Sequence, residues 1–140
     1  MARAMGGRVI HDLERAELGT HVLRLTEAGK ADPVFGELSE TFEGQMGHED
    51  RVAELPPGVT LLASTDNVAN QAYRFNDRPI YCTQFHPELN SDDLLGRVRV
   101  YPEYAEKIGN IPASRLGEMC RDTPEAEALL RRFVTHVFGD

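Results

Sequence analysis

Residues Tyr81–Leu89 read YCTQFHPEL, an apolar run that ends in a histidine, a proline and a glutamate. If Ile80–Glu88 is one strand, side chains alternate, and Ile80, Cys82, Gln84, His86 and Glu88 share a side. Residues two apart in a strand lie roughly 6.6–7 Å apart at Cα, so the Glu88 carboxylate reaches back to the His86 ring. A carboxylate on the Nδ1 proton fixes the tautomer and leaves Nε2 free as a base, the second half of a nucleophile–base–orienter triad. Pro87 restricts His86 to extended backbone and ends the ladder. A plainer reading, a strand-end histidine capped by an exposed glutamate, stays open on spacing alone.

A base and its orienter need a nucleophile. Cys82 is four strand residues from His86, roughly 13 Å at Cα, too far for a direct hydrogen bond; it reads as a small buried hydrophobe. Cys120 lies in RLGEMCRDTPE with Glu118 and Asp122 beside it, and acidic neighbours raise a thiol pKa. No serine or threonine sits in a Gly-x-Ser-x-Gly elbow. A second cluster, GQMGHEDRV, supplies His48, Glu49 and Asp50. His48 and Asp50 are expected in a polar loop near the strand ends, where α/β folds bind ligands. Joined to His86 and Glu88 they are also the ligand types of a metal-dependent hydrolase, although their spacing matches no specific metal motif. No metal or other cofactor is expected. His11, His21 and His136 have no such companions and read as surface.

Working outward, NQAYRF and PIYCTQF flank Asn76-Asp77-Arg78-Pro79, a β-hairpin signal. Upstream, Pro56-Pro57-Gly58 is a turn into a strand Val59–Ser64, with Val59, Leu61 and Ala63 on one face. THVLRLTEAG is a strand closed by glycine, and RVIHD a short strand. MARAM followed by Gly6-Gly7 reads as a last helical turn with its glycine stop. That opening suggests either a chain starting partway through a larger fold or a harmless frayed terminus. Downstream, Ser91 is the expected N-cap of a helix burying Leu94, Leu95 and Val98, which Pro102 breaks or restarts. Thr123 and Pro124 open the last helix, whose Ala126, Leu129, Leu130, Phe133, Val134 and Val137 follow one buried face. The whole is one α/β domain over 1–140, strand-rich through 1–89 and helical over 90–140.

Composition narrows the function classes. The 140 residues are 41% hydrophobic and 27% charged, which argues against wholesale disorder. Fifteen basic residues against 23 acidic ones leave a net charge of −8, which repels phosphate backbones and anionic lipid, so neither nucleic acid nor membrane is expected as a partner. No apolar run is long enough for a transmembrane helix. Two distant cysteines and no secretory signal point to a reducing cytoplasm.

These residues resemble the class I glutamine amidotransferases, glutaminase domains that feed ammonia to synthetases, and the GMP synthetase-like branch is the nearest match. QFHPE, Gln84–Glu88, is similar to the segment supplying that family's His-x-Glu pair. GHEDRVAELPPGVTLLASTDN looks like its Ser-His-x-Asp stretch, a Leu-Pro, and a strand ending in Ala-Ser, and NQAYRF before the hairpin agrees. MARAMGGRVI resembles the end of the helix that follows the family's nucleophile. The similarity runs in order from residue 1 to about 90, and the last helix fits the family's closing helix. Asn90–Arg121 is longer than expected.

The resemblance implies a flavodoxin-like fold with a mixed sheet, a hairpin and packing helices. It implies His86 as general base, Glu88 as its orienter, and Gly47, His48 and Asp50 lining a glutamine site, partly through backbone. Gly47 stands where the family often has serine. The family's Gly-x-Cys-x-Gly elbow, oxyanion-hole glycines and first parallel strands would precede residue 1. The chain is therefore expected to supply the His/Glu part of a Cys-His-Glu triad, to be inactive alone, and to work with a synthetase domain or the missing N-terminal half. Uncovered sheet edges and apolar faces lead to the expectation of a homo-oligomer. A non-catalytic partner-binding or regulatory module is the alternative, and the metal-dependent hydrolase a second one.

Overall fold

A computed structural model describes residues 1–108 and 111–139. The first turn, Arg3–Met5, is a 3₁₀ helix closed by Gly6 at φ 92°, a left-handed conformation that glycine adopts without strain. Strand β1 (Arg8–His11) leads through a second 3₁₀ turn (Leu13–Arg15) into β2 (Glu17–Leu25) and the single-turn helix α1 (Glu27–Lys30). Strands β3 (Thr41–His48), β4 (Asp50–Glu54), β5 (Val59–Ser64), β6 (Ala72–Phe75) and β7 (Tyr81–Thr83) follow. Helices α2 (Ser91–Val100) and α3 (Pro102–Lys107), a 3₁₀ turn (Ala113–Glu118) and α4 (Pro124–Phe138) complete the chain.

The strands form a five-stranded sheet in the order β3-β2-β5-β6-β7 and a two-stranded ribbon β1-β4. Every pairing among the described residues is antiparallel. β3 and β4 are separated only by Glu49, and β1 and β2 pair with them in turn, so one long ribbon bends at Glu49. There the Asp12 N–H donates to the Glu49 carbonyl at 3.0 Å, which carries the pairing across the bend. A curled antiparallel sheet with helices packed on it is an α/β architecture, with strands first and packing helices after, as the sequence pattern predicts.

Three apolar clusters hold these pieces together. The largest joins the sheet to α4 through Leu23, Met46, Leu62, Phe85, Ala126 and Leu129. A second packs α2, α3 and the last 3₁₀ turn on Leu18, with Leu94, Val98, Ala105 and Leu116 at its centre. The third lies under the N-terminal turn, where Ala2 meets Val52, Tyr73 and Phe75.

Strand β5 and the β6–β7 hairpin lie where the sequence puts them. Three details differ. The strand through the His-Pro-Glu segment ends at Thr83: Gln84 bonds to Gln71, just before β6, and His86 then bonds to Gln45 on β3. The cap of α2 is Asn90 rather than Ser91: its side chain accepts from the Asp93 N–H at 2.8 Å, and Asp93 answers the Asn90 N–H in a capping box. Finally, α4 buries a narrower stripe than its periodicity suggests. Ala126 and Leu129 are buried and Phe133 packs against the same core, but Leu130 is 46% and Val134 50% exposed. A helix lying on one strand covers only the residues directly beneath it, and Leu130 and Val134 flank that line.

Leu129→Ala is accordingly expected to cost about 2–5 kcal/mol in urea unfolding, while Val134→Lys stays within about 0.5 kcal/mol of the parent. Equal losses from both would mean that the helix seats differently.

Candidate functional site

Four contacts deliver the His-Pro-Glu segment to its place. Beyond β7 the Gln84 N–H donates to the Gln71 carbonyl at 2.7 Å, and the His86 N–H to the Gln45 carbonyl at 2.9 Å. Between them the Phe85 ring enters the main core, 1% exposed, edge-on to Phe42 at 5.6 Å between centroids. Gly44 makes room for it, since a Cβ there would lie 3.2 Å from the Phe85 ring and 3.0 Å from Leu23 Cδ1. The Leu89 N–H then returns to the His86 carbonyl at 3.3 Å, folding Pro87 and Glu88 into a tight turn.

Inside that turn His86 Nδ1 and Glu88 Oε1 are 2.7 Å apart. With the carboxylate ionised, Nδ1 carries the proton and donates it, which leaves Nε2 as the lone-pair nitrogen. Nε2 faces Gly47: a Cβ built there would stand 4.0 Å from it and 3.8 Å from the Tyr104 ring. The sequence argument reached this contact through strand alternation, whereas the structure makes it through a turn. Burial opposes ionisation of Glu88, but the His86 bond, a backbone bond and the charges of His86 and Arg97 outweigh it, holding the carboxyl below the usual glutamate range.

A cavity of about 320 Å³ opens at His86 and Gly47 and is closed by Leu94, Arg97 and Val98 of α2, with Tyr101 and Tyr104 beyond. That volume suits a small metabolite. The Tyr104 hydroxyl donates to the Gly47 carbonyl at 2.5 Å, tying α3 to the end of β3. Burial raises the Tyr104 hydroxyl pKa, Glu49 and Asp50 push it the same way, and Arg97 opposes them. The hydroxyl therefore stays a donor at neutral pH.

Of the other sequence candidates, His48 is 5% exposed and points away from this cavity into a polar core. Its Nε2 lies 2.9 Å from Glu17 Oε1, which also accepts from Gln71 Nε2 at 2.5 Å. Asp50 stands on the flank, 2.9 Å from His11 Nδ1 across the β1–β4 ribbon, and its carbonyl accepts from Gln84 Nε2 at 3.3 Å. The structure thus brings His86, Glu88 and Gly47 together, and sets the side chains of His48 and Asp50 beside them in other company. Among the described residues no three His, Cys, Asp or Glu side chains converge as metal ligands.

Neither cysteine lines the cavity. Cys82 is half-buried in the third apolar cluster beside Tyr73. Cys120 packs on the second, where burial rather than its acidic neighbours raises the thiol pKa, and Arg121 opposes the shift. Sequence reading missed Glu17, Arg97 and Tyr104. A lone glutamate at a strand start gives no signal of burial, and the helix expected after Asn90 was legible through its apolar face, which says nothing of what its Arg97 lines.

Comparison with known proteins adds an independent line. The family model described as glutamine amidotransferase class-I matches residues 1–94. A GMP synthase [glutamine-hydrolyzing] of Nitratiruptor sp. is 36% identical over 117 residues, covering 76% of this chain and 20% of that protein. A separate GMP synthase [glutamine-hydrolyzing] subunit from Methanocaldococcus jannaschii is 33% identical over 89 residues, 64% of this chain and 45% of that one. The crystal structure of a glutamine amidotransferase from Thermotoga maritima superposes with a TM-score of 0.74 at 20% identity, over 96% of this chain and 56% of that one. This chain thus spans about a fifth to a little over half the length of these relatives.

A depressed folded-state pKa at Glu88 means that its ionised form stabilises the fold above the unfolded glutamate value, and that this contribution is lost as pH falls through the folded value. The Glu88 carboxyl carbon should titrate below ordinary glutamate in NMR, and His86→Asn should move it upward. Titration at or above the ordinary value in the parent would remove Glu88 as the partner of His86.

Proposed function

The chain belongs to the class I glutamine amidotransferase family, and from that membership we propose that His86 and Glu88 are the base and orienter of glutamine side-chain amide hydrolysis. One observation carries the reading: the 2.7 Å His86–Glu88 contact lies within the family-matched residues and turns Nε2 toward a cavity of metabolite size.

In this reading a cysteine thiol gives its proton to His86 Nε2 and its sulfur attacks the amide carbon. His86 returns the proton to the departing nitrogen, releasing ammonia and leaving a thioester. It then takes a proton from water, whose oxygen attacks the thioester carbon, and gives that proton to the departing sulfur. The net change is glutamine and water to glutamate and ammonia, the ammonia passing to an acceptor on a synthetase domain or partner protein. Glu88 holds the tautomer and stabilises the imidazolium. Gly47 presents backbone to the substrate, and His48 and Asp50 support the end of β3 and the start of β4. The nucleophile is contributed from outside residues 1–140, because neither Cys82 nor Cys120 lines the cavity.

The 140-residue chain should then release no ammonia from glutamine, and should do so once a segment carrying a glycine-flanked cysteine is supplied. In that assembly His86→Asn should lower kcat by roughly 10²-fold or more. Hydrolysis by the chain alone that survives Cys82→Ala with Cys120→Ser would overturn the outside nucleophile.

A second reading, a partner-binding module, is favoured by the exposed Leu130, Val134 and Phe138 of α4. The partner this reading names is a second copy of the chain. Sedimentation equilibrium should find a dimer or larger, and a monodisperse monomer at tens of micromolar would dismiss self-association.

A further inference from the structure

The catalytic reading gives the cavity's Arg97 only an electrostatic part, its charge helping to keep Glu88 ionised. Arg97 lies on α2 between Leu94 and Val98, both buried in the second apolar cluster, so its backbone is held by packing and by the capping box at Asn90. α3 is held in turn by the Tyr104–Gly47 bond, so the cover over His86 has fixed attachments at both helices. Among the described residues Arg97 makes no hydrogen bond or ion pair, whereas Arg121 on the neighbouring segment is engaged with Glu43. The other cavity walls from these helices are aliphatic or aromatic: Leu94, Val98 and Tyr101.

An unpaired guanidinium in an otherwise apolar wall suits a planar anion, above all a carboxylate that accepts two parallel N–H bonds. Phosphate would suit the fork as well, but the Glu88 carboxylate lies 2.7 Å from His86 Nδ1 at the cavity and close enough for Arg97 to act on it, so a multiply charged anion would meet it. A singly charged carboxylate meets less of that repulsion than phosphate does. Glutamine carries its α-carboxylate and its side-chain amide at opposite ends, which matches a cavity with Arg97 on one wall and His86 on another.

We propose that Arg97 is the anchor for the α-carboxylate of the substrate glutamine, holding it with the side-chain amide turned toward His86. The inference rests on the glutamine reading above. Arg97 and Tyr104 both lie beyond residue 94, outside the family-matched part. This anchor is therefore a feature of the chain's own helical segment.

Isothermal titration of the 140-residue chain with L-glutamine, L-glutaminamide (the α-carboxylate replaced by an amide) and glutarate tests it. Arg97→Gln should weaken glutamine roughly tenfold or more, Arg97→Lys should retain part of the affinity, and glutaminamide should bind weakly and equally to all three proteins. Because Arg97 is exposed, thermal unfolding of the variants should match the parent. Equal glutamine affinity in parent and Arg97→Gln would overturn the anchor and leave the glutamine reading standing. Arg97-dependent binding of glutarate without binding of glutamine would overturn the glutamine reading, and with it the named substrate. Binding of neither would overturn both.

Discussion

The Phe85 ring has to be inside, and much of the site follows from that requirement. Fully burying such a side chain contributes about 1.5–3 kcal/mol, and the ring finds its place only because Gly44 on β3 offers no Cβ to meet it. With Phe85 fixed between the sheet and α4, its two neighbours must point elsewhere. Gln84 and His86 then have backbone N–H groups that need acceptors, and they find the carbonyls of Gln71, just before β6, and Gln45 on β3. A chain pinned at three consecutive residues cannot rotate the next one freely. That is how a loop comes to hold His86 with the definition of a strand residue.

Gln45 extends the same constraint to the far end of the chain. Its side chain is fully buried and bridges Thr20 and the Arg121 carbonyl, while the Arg121 N–H donates to the Thr20 hydroxyl at 2.7 Å. The backbone that receives His86 and the backbone that enters α4 are thus fastened to neighbouring residues of β2 and β3. On the other side of β3, Glu17 collects His48 and Gln71 in the interior. Such a buried carboxylate is costly without partners, so the three polar side chains stand or fall together. They fix the strand end from which Gly47 presents its carbonyl to Tyr104.

The pattern of the sequence made the hairpin, β5 and the last helix legible because each is a local matter of turn chemistry and periodicity. The His86–Glu88 contact was legible too, though for a different geometric reason, since residues two apart come within side-chain reach in a turn as well as in a strand. Burial of Glu17 and His48 was not, because it depends on which strands meet, and β2, β3 and Gln71 before β6 come from distant parts of the chain. The exposure of Leu130 and Val134 was hidden for a related reason. Periodicity shows which helical face is apolar, but how much of that face is covered depends on what lies beneath it. The Cys120 thiol had its direction of shift right and its cause wrong: apolar neighbours from α2 and the last 3₁₀ turn desolvate it, and those contacts are invisible in RLGEMCRDTPE.

The cavity is built from two parts of the chain with different constraints. His86, Glu88 and Gly47 come from the family-matched residues 1–94, where the ladder and Phe85 leave little freedom. Arg97, Tyr101 and Tyr104 come from a helical segment whose attachment is its own apolar cluster and one hydrogen bond to the Gly47 carbonyl. Positioning a base requires the first kind of rigidity, because a displacement of the imidazole alters every proton transfer. Selecting a ligand requires only that a cover present the right charge at the right wall. The Tyr104–Gly47 bond is where the two parts meet.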